Sequence, residues 1–171
     1  MTNDNLSVLL LKKIEEQVER AEHLTGKVPP DKIEWRPFPD ALRICDLLGH
    51  LLECLAGFCA TLYALNPNEL AHFTRLREKP VNHCCSADEA RVRMQEYLKS
   101  IGEGFQVLTD EQLSRALPTV FVSEGEPVLT LLLGNLEHFI NHKYQLFFYL
   151  KLLGLQLGTE DLYKFRGPSL H

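Results

Sequence analysis

Four stretches of the chain repeat apolar residues at the spacing of an α-helix, with capping residues, glycine and proline at their ends. These patterns predict helices over residues 6–24, 40–65, 86–108 and 127–154. The first and third helices are amphipathic, with one apolar stripe among charged positions. The second and fourth are apolar around almost the whole circumference, which is typical of helices buried in a core.

The segments between these helices are polar or rich in proline and have no strong strand pattern. Residues 26–40 form a proline-dense connection around Trp35, whose ring we expect to fold back onto the end of the bundle. Four long helices without strands favour an all-α fold, a four-helix bundle whose long connections cross over its ends. Residues 1–171 are predicted to form a single domain, with a core over 5–155 and a C-terminal tail over 156–171.

The sequence predicts further features for two of the connections between helices. Residues 66–85 form a polar crossing segment between the second and third helices. After a short helical turn predicted over 109–117, residues 118–126 alternate Val120 and Val122 with polar residues, which predicts an extended link or a small hairpin.

Composition narrows the possible partners. The 171 residues are 45% hydrophobic with a net charge of −5, which argues against nucleic-acid binding, and the basic stretch 75–79 is predicted to be a solvated loop. The N-terminus has no signal-peptide pattern, and the charged and polar residues within the apolar helices argue against a membrane span. Five cysteines, an odd number without a C-x-x-C pair, favour a cytoplasmic protein in which Cys84 and Cys85 are ordinary loop thiols.

Histidines supply the candidate chemistry. His138 and His142 are four residues apart, so they lie on one face of the fourth helix, and we expect their imidazoles to point into the interior. Such a pair can bind one metal ion, or it can hydrogen-bond within the core or face solvent. His50, on the polar stripe of the second helix, is the candidate third ligand. Three neutral imidazoles leave a coordination position open, as in catalytic metal sites.

Polar residues near His50 have several possible roles. Asp46 and Glu53 flank it, and either could be a fourth ligand, a hydrogen-bond partner of the imidazole, a general base or a solvated carboxylate. Cys54 could add a sulfur ligand, although a small buried core cysteine is the favoured interpretation.

Two amides lie one turn from the histidine pair on the fourth helix. Asn135 and Gln145 could each orient an imidazole N–H and so support the bound cofactor. The alternatives are that they cap buried backbone or face solvent.

These motifs together resemble the DinB superfamily of DinB/YfiT-like metal-dependent proteins over roughly residues 5–155. The resemblance depends on Ile33-Glu-Trp-Arg-Pro37, Leu47-Leu-Gly-His-Leu51 and the stretch around the fourth-helix histidines, residues 137–146. It implies a four-helix bundle, often a homodimer, with a three-histidine metal site. The implied ligands are His50, His138 and His142. Tyr144 stands where the family often has glycine, which implies different packing or a different dimer face there.

The resemblance also implies a class of reaction. It points to thiol (S-)transfer, in which a low-molecular-weight thiol such as bacillithiol or mycothiol attacks a small-molecule substrate at the metal. Hydrolysis by metal-activated water is the runner-up. A base at Asp46 or Glu53 would favour hydrolysis, and a basic rim at Arg43 or Lys143 would favour an anionic thiol.

The metal and the enzymatic character stay open at this point. Three imidazoles suit a divalent ion, zinc or nickel foremost, with iron also possible. The second class of function is a non-enzymatic, stress-linked protein that binds metal or another partner.

Overall fold

A computed structural model describes residues 5–119 and 122–164, and it has the predicted all-α architecture. Helices α1 and α2 each pack against both α3 and α4, so the order around the bundle is α1, α3, α2, α4. The chain therefore crosses the bundle between α1 and α2 and again between α3 and α4, as the long connections predicted. The helices are α1 Leu6–Thr25, α2 Ile44–Leu65, α3 Ala87–Val107 and α4 Val128–Leu152.

The proline-dense connection determines where α2 begins. The N–H groups of Ile44 and Cys45 donate to the carbonyls of Trp35 (3.0 Å) and Ile33 (2.8 Å). These bonds satisfy donors that have no partner within the first turn, so the helix begins four residues later than predicted. The Trp35 ring packs edge-on against Tyr149 of α4, with 5.6 Å between ring centroids, which confirms the predicted fold-back.

A distant carboxylate caps α1. Asp110 accepts hydrogen bonds from the backbone N–H groups of Leu6 and Ser7, both at 3.1 Å, and from the Ser7 hydroxyl at 2.7 Å. Asp110 begins the 3-10 helix Asp110–Ser114, the short helical turn that the sequence predicted. A negative charge at a helix N-terminus also interacts favourably with the helix dipole.

A two-stranded hairpin precedes α4. Strands β1 (Ala116–Leu117) and β2 (Glu126–Pro127) pair antiparallel, which confirms the predicted small hairpin, although Val120 lies outside the described residues. Pairing holds Pro127 in an extended conformation, so α4 begins one residue later than predicted. At the other end Gly154, with φ +88°, takes the left-handed conformation that terminates many helices.

The crossing segment returns along α2 after a 3-10 helix at Ala71–Glu78. The Asn82 N–H donates to the carbonyl of Gly49 at 3.0 Å. A Cβ at Gly49 would lie 1.8 Å from the backbone oxygen of His83, so only glycine permits this approach. The residue before His50 therefore sets how closely the crossing segment packs on α2.

A disulfide joins Cys45 at the start of α2 to Cys84 of the crossing segment, with the Cα atoms 4.5 Å apart. This differs from the expectation that Cys84 is an ordinary loop thiol, because the sequence alone did not show that the segment returns to this turn of α2. Cys85 is a free, buried thiol. The cysteines therefore no longer argue for a reducing compartment.

The tail packs against the bundle and adds a short helix, α5 (Thr159–Leu162). His23 Nε2 lies 2.7 Å from an Asp161 oxygen, and Lys143 Nζ of α4 donates to the Leu162 carbonyl at 3.0 Å. The end of the predicted tail, including His171, lies outside the described residues.

Helix α2 is the most apolar of the four. By length and composition it could cross a membrane, but 56% of its most apolar window is buried inside the fold. Such burial fits the central helix of a soluble bundle.

Candidate metal centre

Three imidazoles converge between α2 and α4. The Nε2 atom of His50 lies 3.2 Å from that of His138 and 3.1 Å from that of His142. The three rings meet edge to face, with centroids 4.4–5.1 Å apart. The structure therefore brings together the three histidines that the sequence singled out, and their geometry can accommodate a metal ion.

The opposite nitrogens of two rings have partners that fix their tautomer. His50 Nδ1 lies 2.8 Å from Glu53 Oε2, and His142 Nδ1 lies 2.9 Å from Gln145 Oε1. Because a carboxylate and an amide carbonyl can only accept, each Nδ1 must donate its proton. The Nε2 lone pairs are then directed at one another, which is how metal-binding histidines are held.

The spacing of these nitrogens suits a small divalent ion. Zinc bonded to two imidazoles at 2.0–2.1 Å in tetrahedral geometry separates the nitrogens by about 3.3 Å. The distances from His50 Nε2, 3.1 and 3.2 Å, are close to that value. Burial lowers the pKa of His142, and His50 and His138 add to this effect against the opposing hydrogen bond with Gln145, so the neutral form that a metal ligand needs is favoured.

The centre is more open than the sequence predicted. His138 is exposed, and His50 and His142 are only half-buried, so the expectation that the fourth-helix imidazoles point into the interior is wrong for His138. The cause is that α4 keeps one apolar side on the surface, so an apolar circumference did not mean full burial. His138 nevertheless turns Nε2 towards His50, and its exposure gives small molecules access.

Gln145 and Asn135, the two amides one turn from the histidine pair, have different hydrogen-bond partners. Gln145 holds His142 and donates its own amide to the Tyr149 hydroxyl at 2.9 Å, a link that the sequence analysis missed. Asn135 instead donates to the backbone carbonyl of Cys54 at 2.8 Å, so it joins α4 to α2 and does not orient an imidazole. Tyr149 lies on the same side of α4 as His138, His142 and Gln145, which is the signal that could have identified it.

Cys54 lies beside the centre as a neutral thiol. Its sulfur is 3.8 Å from His138 Nδ1, the nitrogen on the far side of the ring from the convergence point. Burial raises the pKa of the Cys54 thiol to about 12, with the Glu53 charge adding to the effect. These observations agree with the favoured interpretation of a buried core cysteine.

Asp46 does not face the imidazole cluster. Both of its oxygens accept hydrogen bonds from Arg43, at 2.7 and 3.0 Å, and this guanidinium holds the pKa of the Asp46 carboxyl below its usual range. Arg43 is therefore neutralised by Asp46. Lys143 is buried on another side of α4, where it donates to Gln17 at 2.6 Å. The basic rim expected at Arg43 or Lys143 is not formed by either residue.

Two exposed cations from the stretch that was predicted to be a solvated loop lie beside a cavity next to α2. Arg77 and Lys79 of the crossing segment line a cavity beside α2, and Glu53 lines it too. In the sequence, Arg77 and Lys79 only alternate with Leu76 and Glu78, which does not predict that they line a cavity. Their position depends on the path of the crossing segment.

Fold and site together define a helical bundle that presents three convergent imidazoles at a helix interface. The structure is similar to the crystal structure of a DinB-like protein, YjoA, from Bacillus subtilis, with a TM-score of 0.70 and 18% sequence identity. The match covers 91% of this chain and 99% of that one. No protein-family model matches the chain, and no curated protein matches it either. The chain therefore has the DinB-like fold.

Proposed function

We propose that the protein is a divalent-metal-dependent enzyme that acts on a small-molecule substrate at the three-histidine centre. The convergence of three Nε2 atoms supports this proposal most directly. A bound ion would act as a Lewis acid that ionises a thiol or a water molecule at its open position. Zinc or nickel is the ion expected first, and iron also suits three imidazoles.

The surroundings favour thiol transfer over hydrolysis. A hydrolase needs a base for the proton of water, but Asp46 is engaged by Arg43 and one Glu53 oxygen is engaged by His50. A thiol is far more acidic than water, so at a metal ion it would ionise and release its proton to solvent without such a base. The sulfur then bonds to an electrophilic carbon of the substrate, and the leaving group departs with its electron pair. Thiol (S-)transfer with a low-molecular-weight thiol is therefore placed first, and hydrolysis second.

Metal content is the direct test of the ligand assignment. Protein purified without an affinity tag should contain close to one divalent ion per chain by elemental analysis. The variants His50→Ala, His138→Ala and His142→Ala should each lose most of it. The matched control is His72→Ala, because His72 is exposed and pairs with Glu103 of α3, so this variant should keep the ion.

The outcomes separate the hypotheses. Metal retained by all three variants would mean that the ligands are wrong. Metal lost without any effect on thiol-transfer or hydrolytic activity would favour the non-enzymatic, stress-linked alternative. A rate that depends on added thiol would distinguish transfer from hydrolysis.

We also expect a homodimer. Four large apolar side chains of α4 are about half exposed, and their positions fall within roughly 100° of the helix circumference. They are Leu133, Tyr144, Phe148 and Leu152. Light scattering should report a dimer for the wild type and a monomer for the double variant Tyr144→Ser/Phe148→Ser. A dimer that survives both substitutions would exclude this face.

A further inference from the structure

A cavity of about 360 Å³ lies between α2 and the crossing segment, next to the candidate metal centre. This volume is within the range of small-molecule sites in proteins. Glu53 lines the cavity, and the same carboxylate holds Nδ1 of His50. The cavity and the three-histidine centre therefore share Glu53, so a molecule that reaches this end of the cavity would lie beside the carboxylate that holds His50.

Most of the lining is small or apolar. One thiol contributes to it, and burial raises the pKa of Cys59 to about 12, so it is a neutral, unreactive part of the wall. An apolar body such as a ring or a short alkyl chain would lose contact with water on both sides here. The apolar lining includes Ala56, Cys59, Ala60, Phe73, Leu76 and Val81.

The cavity is charged oppositely at its two ends. Arg77 lies over the ring of Tyr63, with Cζ 5.0 Å from the ring centroid, and Tyr63 follows Glu53 by ten residues, about 15 Å along the helix. Lys79 pairs with Glu96, whereas Arg77 has no carboxylate partner within the described part of the chain. A negative charge thus marks the end near His50, and an uncompensated positive charge marks the far end.

We propose that this cavity binds a small organic acid, with its carboxylate on Arg77 and its apolar body directed along α2 towards Glu53 and His50. The planar guanidinium can donate two parallel hydrogen bonds to a carboxylate, and the aromatic ring beneath it limits its movement. The opposite end of the acid is the one presented to the metal centre. This proposal adds a substrate class, small organic acids, to the proposed function. Any reaction of the acid rests on the proposed metal centre, but its binding to Arg77 does not.

Binding of 4-phenylbutyrate, compared with its uncharged amide, tests the inference. Titration calorimetry should show the acid binding about tenfold more tightly than the amide, since a hydrogen bond between two charged groups is stronger than one to a neutral amide. Arg77→Gln should remove that preference. Arg75→Gln is the matched control, because Arg75 lies on the same exposed 3-10 helix and does not line the cavity.

A second variant addresses the apolar body. Ala60 is exposed at the rim of the cavity, so Ala60→Trp fills space without disturbing the core or Arg77. It should weaken acid and amide alike by at least tenfold. Backbone NMR shifts on adding 4-phenylbutyrate should centre on Gly57, Tyr63 and Arg77.

One more titration distinguishes an error in the cavity assignment from an error in the metal-ligand assignment. The same titration with His138→Ala should give an unchanged affinity for 4-phenylbutyrate, because Arg77 binds the carboxylate far from the imidazoles. Affinity that disappears with the metal would mean that the acid binds the ion, which would overturn the cavity assignment. Equal affinity for acid and amide, or no binding of either, would overturn it as well. Metal retained by the histidine variants would refute the ligand set and leave the cavity result standing.

Discussion

Replacing Gln145 with leucine should weaken metal binding without unfolding the bundle. The Gln145 carbonyl accepts the Nδ1 proton of His142 at 2.9 Å, which keeps Nε2 as the free lone pair. Leucine has a similar volume but no acceptor, so a half-buried N–H would lose its partner, at a cost of about 1–3 kcal/mol. Because 1.4 kcal/mol is tenfold, zinc affinity should fall about ten- to hundredfold.

Competition with a chromophoric zinc chelator would measure this difference, with thermal unfolding of the metal-free proteins as the check on folding. Asn141→Leu is the matched control, since Asn141 is an exposed amide beside His142 that does not bond to its ring. Gln145→Glu keeps an acceptor and should retain the affinity. If Gln145→Leu binds zinc within twofold of the wild type, the orienting role of Gln145 is refuted.

Three further predictions concern stability. Gly49→Ala should destabilise the fold by about 3 kcal/mol or more in urea titrations, because its Cβ would overlap the backbone of the crossing segment, whereas Gly134→Ala, with no atom within 4 Å of its Cβ among the described residues, should be neutral or stabilising. The disulfide joins Cys45 and Cys84, which are separated by 39 positions in sequence, so its reduction should cost about 4 kcal/mol, and an equal urea midpoint with and without reductant would contradict this. Burial lowers the pKa of Lys143 from 10.5 to about 8, so its charge opposes folding in full below pH 8 and less as the pH rises towards 10.5. The wild type should therefore gain about 2 kcal/mol relative to Lys143→Met between pH 7.5 and 10, and parallel pH curves would argue against a charged, buried Lys143.

Periodicity predicted the helices well because each follows from local spacing. The exact ends of the helices could not be predicted from periodicity, because groups distant in sequence determine them. Asp110 caps α1 from another part of the chain, and carbonyls of the proline-dense connection hold the first turn of α2. The order of helices around the bundle also depends on contacts far apart in sequence, so the pattern indicated crossovers without locating them.

The candidate metal centre also combines features that local sequence spacing predicted with features that depend on distant contacts. The i, i+4 spacing of His138 and His142 predicted the pair, and the polar stripe of α2 predicted His50, because both signals are local. Exposure was predicted wrongly, since an apolar helix surface can face solvent as well as the core. The roles of Asn135 and Gln145 could not be separated from sequence, because both lie one turn from the pair and only the packing of α4 on α2 distinguishes them.

The cavity beside the centre originates in the side-chain sizes along α2. This helix is dominated by leucine, but Ala56, Gly57 and Ala60 interrupt the pattern on one side, next to Glu53. Leucines at Ala56 and Ala60 would fill the space against the crossing segment, whereas a Cβ at Gly57 would meet the Asn135 amide of α4 at 3.1 Å. The ties between Asn82 and Gly49 and between Cys45 and Cys84 hold the end of that segment against α2, so the small residues leave a space that the segment cannot collapse to fill. A run of small residues about two turns after the candidate ligand His50, in a helix otherwise rich in leucine, is therefore a sequence signal for a binding cavity.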